Sequence, residues 1–254
     1  MTKSSHLLAV VASFVAIGSA HLHHSHDSYQ APIGDPTLKI NGIAPSTRTH
    51  WMRQANMALG APCPFAAFGA VIVNHTANSG LGELVCTGAN SNSITGNPIM
   101  HGKWLENLPI YESLKRKSLT LQGEMAAITN CSTILTDPKG KYKLTPSQAL
   151  NAFADLSLYT NAESCPMCAS AIRWAGFREY IYRTSIDTLI EKGWGQIRIS
   201  SIDVVAQSFD LSKPTRLLGE VLANETDPYF LWQFDPSYKC PSGCKRVEGS
   251  CKVA

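Results

Sequence analysis

The stretch Tyr159-Thr-Asn-Ala-Glu-Ser-Cys165-Pro-Met-Cys168 decides more of the fold than any other part of the sequence. The apolar run leading into it, residues 156–160, predicts a buried strand, and residues 165–177 predict the helix that follows. The spacing of Cys165 and Cys168 places both sulfurs on one face of that helix, in its first turn. The helix dipole and the unpaired N–H groups there favour thiolates, the form of cysteine that binds metals. By itself the pair fits a metal site, a redox pair or a disulfide.

On both sides of this stretch, predicted strands alternate with predicted helices, which is typical of an α/β domain with a central sheet flanked by helices. Further strands are predicted at residues 69–73, 84–87, 180–183 and 201–206, and the first two form a hairpin. Further helices are predicted at residues 47–59, 124–135 and 147–153, the first with Ser46 or Thr47 as its N-cap.

A third metal ligand is available in His101, the one histidine that follows position 75. Two thiolates and one imidazole would leave the fourth tetrahedral position of Zn²⁺ open to water, as in catalytic zinc sites. Zinc lowers the pKa of bound water enough to supply hydroxide near neutral pH. This chemistry also requires a carboxylate that lies beside the metal without binding it. The alternatives are that His101 is a core histidine and that Cys165 and Cys168 form a disulfide.

The order of these residues resembles the cytidine-deaminase superfamily, particularly its guanine deaminase and tRNA-type adenosine deaminase branches. The signature of that superfamily is His-x-Glu followed by Pro-Cys-x-x-Cys. Phe68-Gly-Ala-Val-Ile-Val73 looks like its first strand, Gly88-Ala-Asn90 like its base-binding segment, and Glu124-Met-Ala-Ala-Ile128 like its catalytic helix. The resemblance covers about residues 46–206. It implies a three-layer α/β fold in which helices flank a central mixed sheet of about five strands.

The resemblance also implies a reaction. His101, Cys165 and Cys168 would bind Zn²⁺, Glu124 would be the catalytic acid and base, and Asn90 would hold the base through its amide. Zinc-bound hydroxide would attack the ring carbon that carries the amino group, and ammonia would leave. The expected substrate is a small nucleobase or nucleoside. Guanine, cytosine and adenosine are not separated, because residues outside the motifs line the pocket.

The sequence departs from the family pattern at two places. Ser164 stands where the family has proline before the first cysteine. The family also needs glutamate two residues after the histidine, whereas Lys103 follows Gly102 here and the pattern resumes at Gly123-Glu124. Residues 103–123 therefore interrupt the catalytic motif, and the alternative function is a catalytically inactive protein with a deaminase fold. Glu106 is a weaker substitute for the acid and base.

We hypothesise that residues 103–123 are a retained intron. Deleting them joins His101-Gly to Glu124-Met-Ala-Ala in frame and restores the motif. Gly102-Lys103-Trp104 can be encoded by GGTAAGTGG, which contains the splice donor GTAAGT. The alternative is a true inserted loop.

The two ends of the chain predict export from the cell. Residues 1–20 have the basic start, short apolar run and small-residue end of a signal peptide, and no later run is long enough to span a membrane. Residues 21–45 predict a disordered, His-rich lead-in, residues 46–238 the deaminase domain, and residues 239–254 a Cys-rich tail. A third reading is a secreted protein that binds copper or nickel through the histidines of residues 21–26.

Charge and modification motifs agree with a secreted protein that acts on small molecules. The net charge is only +3 and no Lys/Arg run stands out, so no nucleic-acid partner is expected; a homodimer remains open. Asn74, Asn130 and Asn224 begin N-glycosylation tripeptides. The aromatic run 229–234 fits either core packing or a cover for the base pocket.

Eight cysteines are unusual in a reducing compartment. Six remain after the predicted zinc ligands, and six cysteines allow 15 pairings. At least one bond is expected within Cys240, Cys244 and Cys251, or from these three to Cys63. Cys86 and Cys131 fall on predicted core elements, which favours free thiols there.

Overall fold

The computed structural model of the chain describes residues 38–60, 62–77, 80–90 and 123–254. The predicted signal peptide, most of the lead-in, His101 and the interruption up to residue 122 lie outside these ranges. The described strands are β1 (Gly69–Asn74), β2 (Glu83–Ala89), β3 (Leu156–Ala162), β4 (Glu179–Thr184), β5 (Arg216–Leu218), β6 (Cys244–Val247) and β7 (Ser250–Val253). The described α-helices are α1 (Pro45–Met57), α2 (Gly123–Thr136), α3 (Pro146–Ala152), α4 (Pro166–Ala175), α5 (Ile186–Glu191), α6 (Ser201–Ala206), α7 (Ala223–Thr226) and α8 (Pro228–Leu231).

Strands β1 to β5 form one sheet in the order β2-β1-β3-β4-β5. Strand β1 is antiparallel to both β2 and β3, while β3, β4 and β5 run parallel. Every residue of β3 and β4 is buried, as expected for parallel strands covered on both faces. The predicted mixed sheet of five strands and its opening hairpin are therefore confirmed.

The side chains of the sheet alternate between two apolar cores, one on each face. Leu158 and Tyr180 pack on the face that also buries residues of α2, α3 and α4. Tyr159 and Ile181 point the other way and pack against Trp51 of α1. Helices thus cover both faces of the sheet, which confirms the predicted three-layer α/β architecture.

Helix α2 lies directly on strand β2. A Cβ atom added to Gly88 would come within 2.3 Å of both the backbone nitrogen of Ala127 and the backbone oxygen of Gly123, so only glycine allows this contact. The same pair of elements is joined by a disulfide between Cys86 and Cys131, whose Cα atoms are 5.4 Å apart. The prediction that these two cysteines are free was wrong, because close packing of the strand and the helix brings them together.

Two local predictions were also wrong. Residues 201–206 form helix α6 rather than a strand, since Ser200 and Asp203 cap its start reciprocally. The fifth strand of the sheet is β5, which the sequence pattern did not indicate. Helix α1 begins at Pro45 with Ala44 as its N-cap, in place of Ser46 or Thr47. Proline is favourable in the first turn of a helix, because an N–H group at that position has no hydrogen-bond partner within the helix and its absence costs nothing.

The C-terminal tail forms a small antiparallel hairpin from β6 and β7. Disulfides join Cys240 to Cys251 and Cys63 to Cys244, so the prediction for these four cysteines is confirmed. The second bond fastens the hairpin to the segment before β1. At the N-terminal side of the domain, Ile43 is buried, so the packed structure begins slightly before residue 46, where the sequence predicts that the domain starts. No helix in the described ranges is long and apolar enough to cross a membrane.

Candidate active site

Cys165 and Cys168 lie where strand β3 ends and helix α4 begins. Cys165 is the N-cap residue of α4 and Cys168 is in its first turn, as the sequence predicts. Neither forms a disulfide, whereas the other six cysteines do. A hydrogen bond from Cys168 lowers the pKa of the Cys165 thiol, and burial opposes that effect. The pair is therefore a close dithiol at a helix N-terminus, in which the thiolate form of Cys165 is the favoured one.

Glu124, in the first turn of helix α2, lies close enough to this dithiol for its charge to act on both thiols. Its side chain is buried, and its Oε1 accepts a hydrogen bond of 2.6 Å from the Ser164 hydroxyl. Burial raises the pKa of the Glu124 carboxyl, and this hydrogen bond partly offsets the rise. The hydrogen bond with Cys165 and burial raise the pKa of Cys168, and the charge of Glu124 adds to that rise. The fold thus brings together three of the predicted site residues although Glu124 is distant from the cysteines in sequence.

Asn90 follows strand β2 directly. Its backbone N–H donates to the carbonyl oxygen of Phe68 at 2.8 Å, which extends the β1–β2 hairpin by one contact. The Phe68 ring packs 5.1 Å from that of Phe230 and 5.6 Å from that of Trp194, measured between centroids. Asn90 is therefore bonded to Phe68, which stands just before β1 and belongs to an aromatic cluster with Phe230 and Trp194.

The packing of this aromatic cluster bears on residues 229–234, for which the sequence allows core packing or a cover for the base pocket. Phe230 is fully buried and belongs to the same core cluster as Ala162, the last residue of β3. Trp232 is also buried, and Phe65 packs edge-on against its ring. The buried part of the run, residues 230–232, therefore provides core packing at the end of β3, whereas Phe234 is exposed.

A group of buried polar residues fixes the turn that carries the cysteines. The Ser164 N–H donates to the Tyr180 hydroxyl at 2.7 Å, and the Ser201 hydroxyl donates to the Ser164 carbonyl at 3.1 Å. Glu163 accepts hydrogen bonds from the backbone N–H groups of Ile186, at 2.8 Å, and Ser201, at 2.6 Å. Burial raises the pKa of Glu163, while these donors lower it. Sequence reasoning missed this group because its members come from β4, α5 and α6; the position of Glu163 inside the cysteine motif was the one signal available.

The donor atoms present fit part of a zinc site. Thiolates and imidazole are the ligands that zinc prefers, and two thiols that form no disulfide lie at the start of α4. In the part of the chain that the structure describes, no group of three or more His, Cys, Asp or Glu side chains is placed to hold a metal ion. The predicted third ligand, His101, lies outside that part, and so does Gln122, which occupies the position two residues before Glu124.

Comparison with known proteins identifies the class. Residues 45–184 match the profile of the cytidine and deoxycytidylate deaminase zinc-binding region. The chain therefore belongs to the cytidine and deoxycytidylate deaminase family, which confirms the resemblance seen in the motifs. The match includes Asn90, His101, Glu124 and both cysteines of the candidate site. A search of curated protein sequences found no significant match.

Similar solved structures include a guanine deaminase from Nitrosomonas europaea, with 14% identity and a TM-score of 0.44 over 74% of this chain and 83% of that one. A tRNA:A34 deaminase has 17% identity and a TM-score of 0.44 over 71% and 99% of the two chains. The dCMP deaminase of cyanophage S-TIM5 has 15% identity and a TM-score of 0.36 over 70% and 99%.

Proposed function

We propose that this chain is a secreted, zinc-dependent hydrolytic deaminase of a nucleobase or nucleoside. One observation carries the proposal: a buried carboxylate, Glu124, lies near the thiols of Cys165 and Cys168, which form no disulfide, where two helices begin. A disulfide that only stabilises the fold does not require a carboxylate nearby. A hydrolytic zinc site needs one, because a proton must be carried during the reaction.

Cys165 and Cys168 would hold the zinc ion together with His101. When bound, zinc lowers the pKa of a coordinated water so that it is available as a nucleophile near neutral pH. The position of the two thiols at the start of α4 suits this role, since the helix dipole stabilises the negative charge on the ligand sulfurs.

Glu124 would act as the proton carrier. Burial raises the pKa of the Glu124 carboxyl, so it holds a proton more readily than an exposed carboxylate does, which suits a group that must accept a proton and release it again. It would take a proton from water as the water oxygen bonds to the ring carbon, and pass that proton to the adjacent ring nitrogen. It would then take the second proton of the same water and deliver it to the amino group. The carbon–nitrogen bond breaks, the ring keeps a carbonyl oxygen, and ammonia leaves.

Asn90 would hold the substrate base, since its amide offers both a donor and an acceptor to the edge of a heterocycle. The small net charge supports a free base or nucleoside over a polynucleotide.

Export is supported by the oxidation state of the cysteines and by the N-terminal sequence. Three disulfides persist in oxidising compartments and are rare in the cytosol. Asn130 and Asn224 are exposed, as a glycosylated asparagine must be. Asn74 is partly buried, and its side-chain oxygen accepts hydrogen bonds from Thr76.

A second candidate function is binding without catalysis. The observation in its favour is the interruption of the motif between His101 and Glu124. If residues 103–123 belong to the mature protein, the third ligand and the proton carrier are separated in sequence by a long insertion. If they are a retained intron, the family spacing is intact.

The deciding experiment measures ammonia release and zinc content for the full chain and for a variant that lacks residues 103–123. A panel of guanine, adenine, cytosine and their nucleosides is the substrate set. We expect the deletion variant to bind one zinc ion and to release ammonia from at least one compound. Zinc binding by both forms without ammonia release from any compound would favour the binding protein. Sequencing the mature transcript across codons 100–126 tests the intron hypothesis separately.

A further inference from the structure

We infer that Ser164 is a positioning residue that holds the Glu124 carboxylate for proton transfer; the inference rests on the function proposed above. The Ser164 side chain is completely buried, and its hydroxyl donates to Glu124 Oε1 at 2.6 Å. A hydroxyl–carboxylate hydrogen bond of this length is among the stronger ones in proteins. It fixes one oxygen of the carboxylate.

The backbone of Ser164 forms hydrogen bonds through both its N–H and its carbonyl, so the side chain extends from a fixed position. Its N–H donates to the Tyr180 hydroxyl and its carbonyl accepts from the Ser201 hydroxyl. These two hydroxyls also lie 3.3 Å from each other. Tyr180 and Ser201 are almost completely buried, and they belong to β4 and to the start of α6. The anchor for Glu124 is therefore built from regular elements of the domain.

Glu163 strengthens the same anchor from the other side of Ser164. Its two carboxylate oxygens accept from backbone N–H groups at the start of α5 and of α6. The turn between β3 and α4 is thus attached to two neighbouring helices. As a result, Ser164 and Cys165 keep a defined position relative to Glu124.

The residue type at position 164 makes this contact particular to the chain. The family pattern has proline before the first cysteine, and proline has neither a hydroxyl nor an N–H. This chain therefore holds its catalytic glutamate through a hydrogen bond that the usual residue cannot make. Since proton transfer depends on sub-ångström placement, loss of the hydroxyl should act on the rate of the chemical step.

The first test uses Ser164→Ala in whichever form of the protein releases ammonia. We expect kcat to fall about 10- to 100-fold, with KM within about twofold of its original value and zinc content unchanged. Ser164→Thr, which keeps the hydroxyl, should recover a substantial part of kcat. An unchanged kcat in Ser164→Ala would overturn the inference.

A matched control is available on the same strand. The buried Ser157 hydroxyl also donates to a buried carboxylate, that of Glu179, at 3.2 Å, but at the opposite end of β3. Ser157→Ala removes an equivalent buried hydrogen bond and should leave kcat unchanged. An equal loss of kcat in both variants would indicate general destabilisation and would contradict a positioning role.

A second measurement does not depend on activity. The stabilities of Ser164→Ala, Glu124→Ala and the double variant form a double-mutant cycle in chemical denaturation. We expect the unfolding equilibrium constants to depart from additivity by at least about fivefold. Additive effects would mean that the contact is not made. If no form of the protein releases ammonia, the proposed deaminase activity fails on its own, and the cycle still decides whether Ser164 holds Glu124.

Discussion

The guanidinium of Arg48 lies 2.7 Å from the carboxylate of Glu179, and both side chains are buried. Glu179 also accepts hydrogen bonds from Asn41 and Ser157, so its charge is fully compensated inside the domain. This pair joins helix α1 to the start of strand β4 and thus connects the first helix to the centre of the sheet.

Replacing Arg48 with methionine should lower the free energy of unfolding by about 3–5 kcal/mol, because a buried carboxylate would lose its counter-charge. Chemical denaturation measures this directly. Arg53 provides the control, since it lies on the same helix and its pair with Glu225 is exposed. Arg53→Ala should change stability far less, because solvent screens an exposed pair, and similar losses in the two variants would argue against the buried pair.

The stability of the protein should depend on the protonation of His75. Burial lowers the pKa of His75 from 6.5 to about 4. Its Nε2 lies 2.8 Å from the Tyr159 hydroxyl and its Nδ1 lies 3.1 Å from the Leu81 carbonyl oxygen, a pairing that suits the neutral ring. Because the unfolded chain takes up the proton first, the contribution of His75 is present above pH 6.5 and is lost as the pH falls towards 4.

His75 is only partly buried, so solvent screens part of this effect, and we expect the free energy of unfolding to decrease by about 1–2 kcal/mol over that interval, less than the full pKa difference would give. Denaturation curves for the wild type and for His75→Gln between pH 7 and pH 4 measure the difference. The variant should show a shallower dependence on pH. Parallel curves for the two proteins would refute this assignment.

Glu124→Gln should separate catalysis from stability. The amide cannot carry a proton, so kcat should fall about 100- to 10,000-fold. The Ser164 hydroxyl can still donate to the amide oxygen, and the energetic cost of burying a charged carboxylate is removed. The free energy of unfolding should therefore not decrease. Undiminished ammonia release by this variant would rule out Glu124 as the proton carrier.

The cysteines that form no disulfide can be counted. After denaturation with a chelator and without a reductant, a thiol reagent should find two thiols per chain, from Cys165 and Cys168. Free Cys86 and Cys131 would raise the number to four. In the native protein, added Zn²⁺ should protect both thiols from alkylation, and Cys168→Ser should abolish that protection. Protection that persists in the variant would exclude the dithiol as the zinc site.

Much of the fold could be predicted from sequence because its signals are local. The apolar runs of β1, β3 and β4 and the cysteine spacing at the start of α4 each specify one element without reference to the rest of the chain. The family pattern then supplied the mixed sheet. The pattern of residues 201–206 favours a strand, because Ile202, Val204 and Val205 are β-branched. The segment forms helix α6 because Ser200 and Asp203 make a capping box at its start.

The candidate site was predictable only in its residue types. Its spatial relationships depend on contacts between residues that are far apart in sequence. Nothing near Ser164 in the chain indicates that its hydroxyl faces Glu124, because that contact requires α2 and the end of β3 to pack together. The disulfide between Cys86 and Cys131 has the same origin, since it follows from the close approach of α2 and β2 at Gly88.

The bond between Cys63 and Cys244 closes a covalent ring across a sequence separation of 181. The ring contains the whole five-stranded sheet, together with Glu124, Cys165 and Cys168. A protease that cuts the backbone once inside this ring opens the loop but releases no fragment, so the cleaved molecule keeps its mass until it is reduced. A single cut is then visible on a reducing gel and invisible on a non-reducing one.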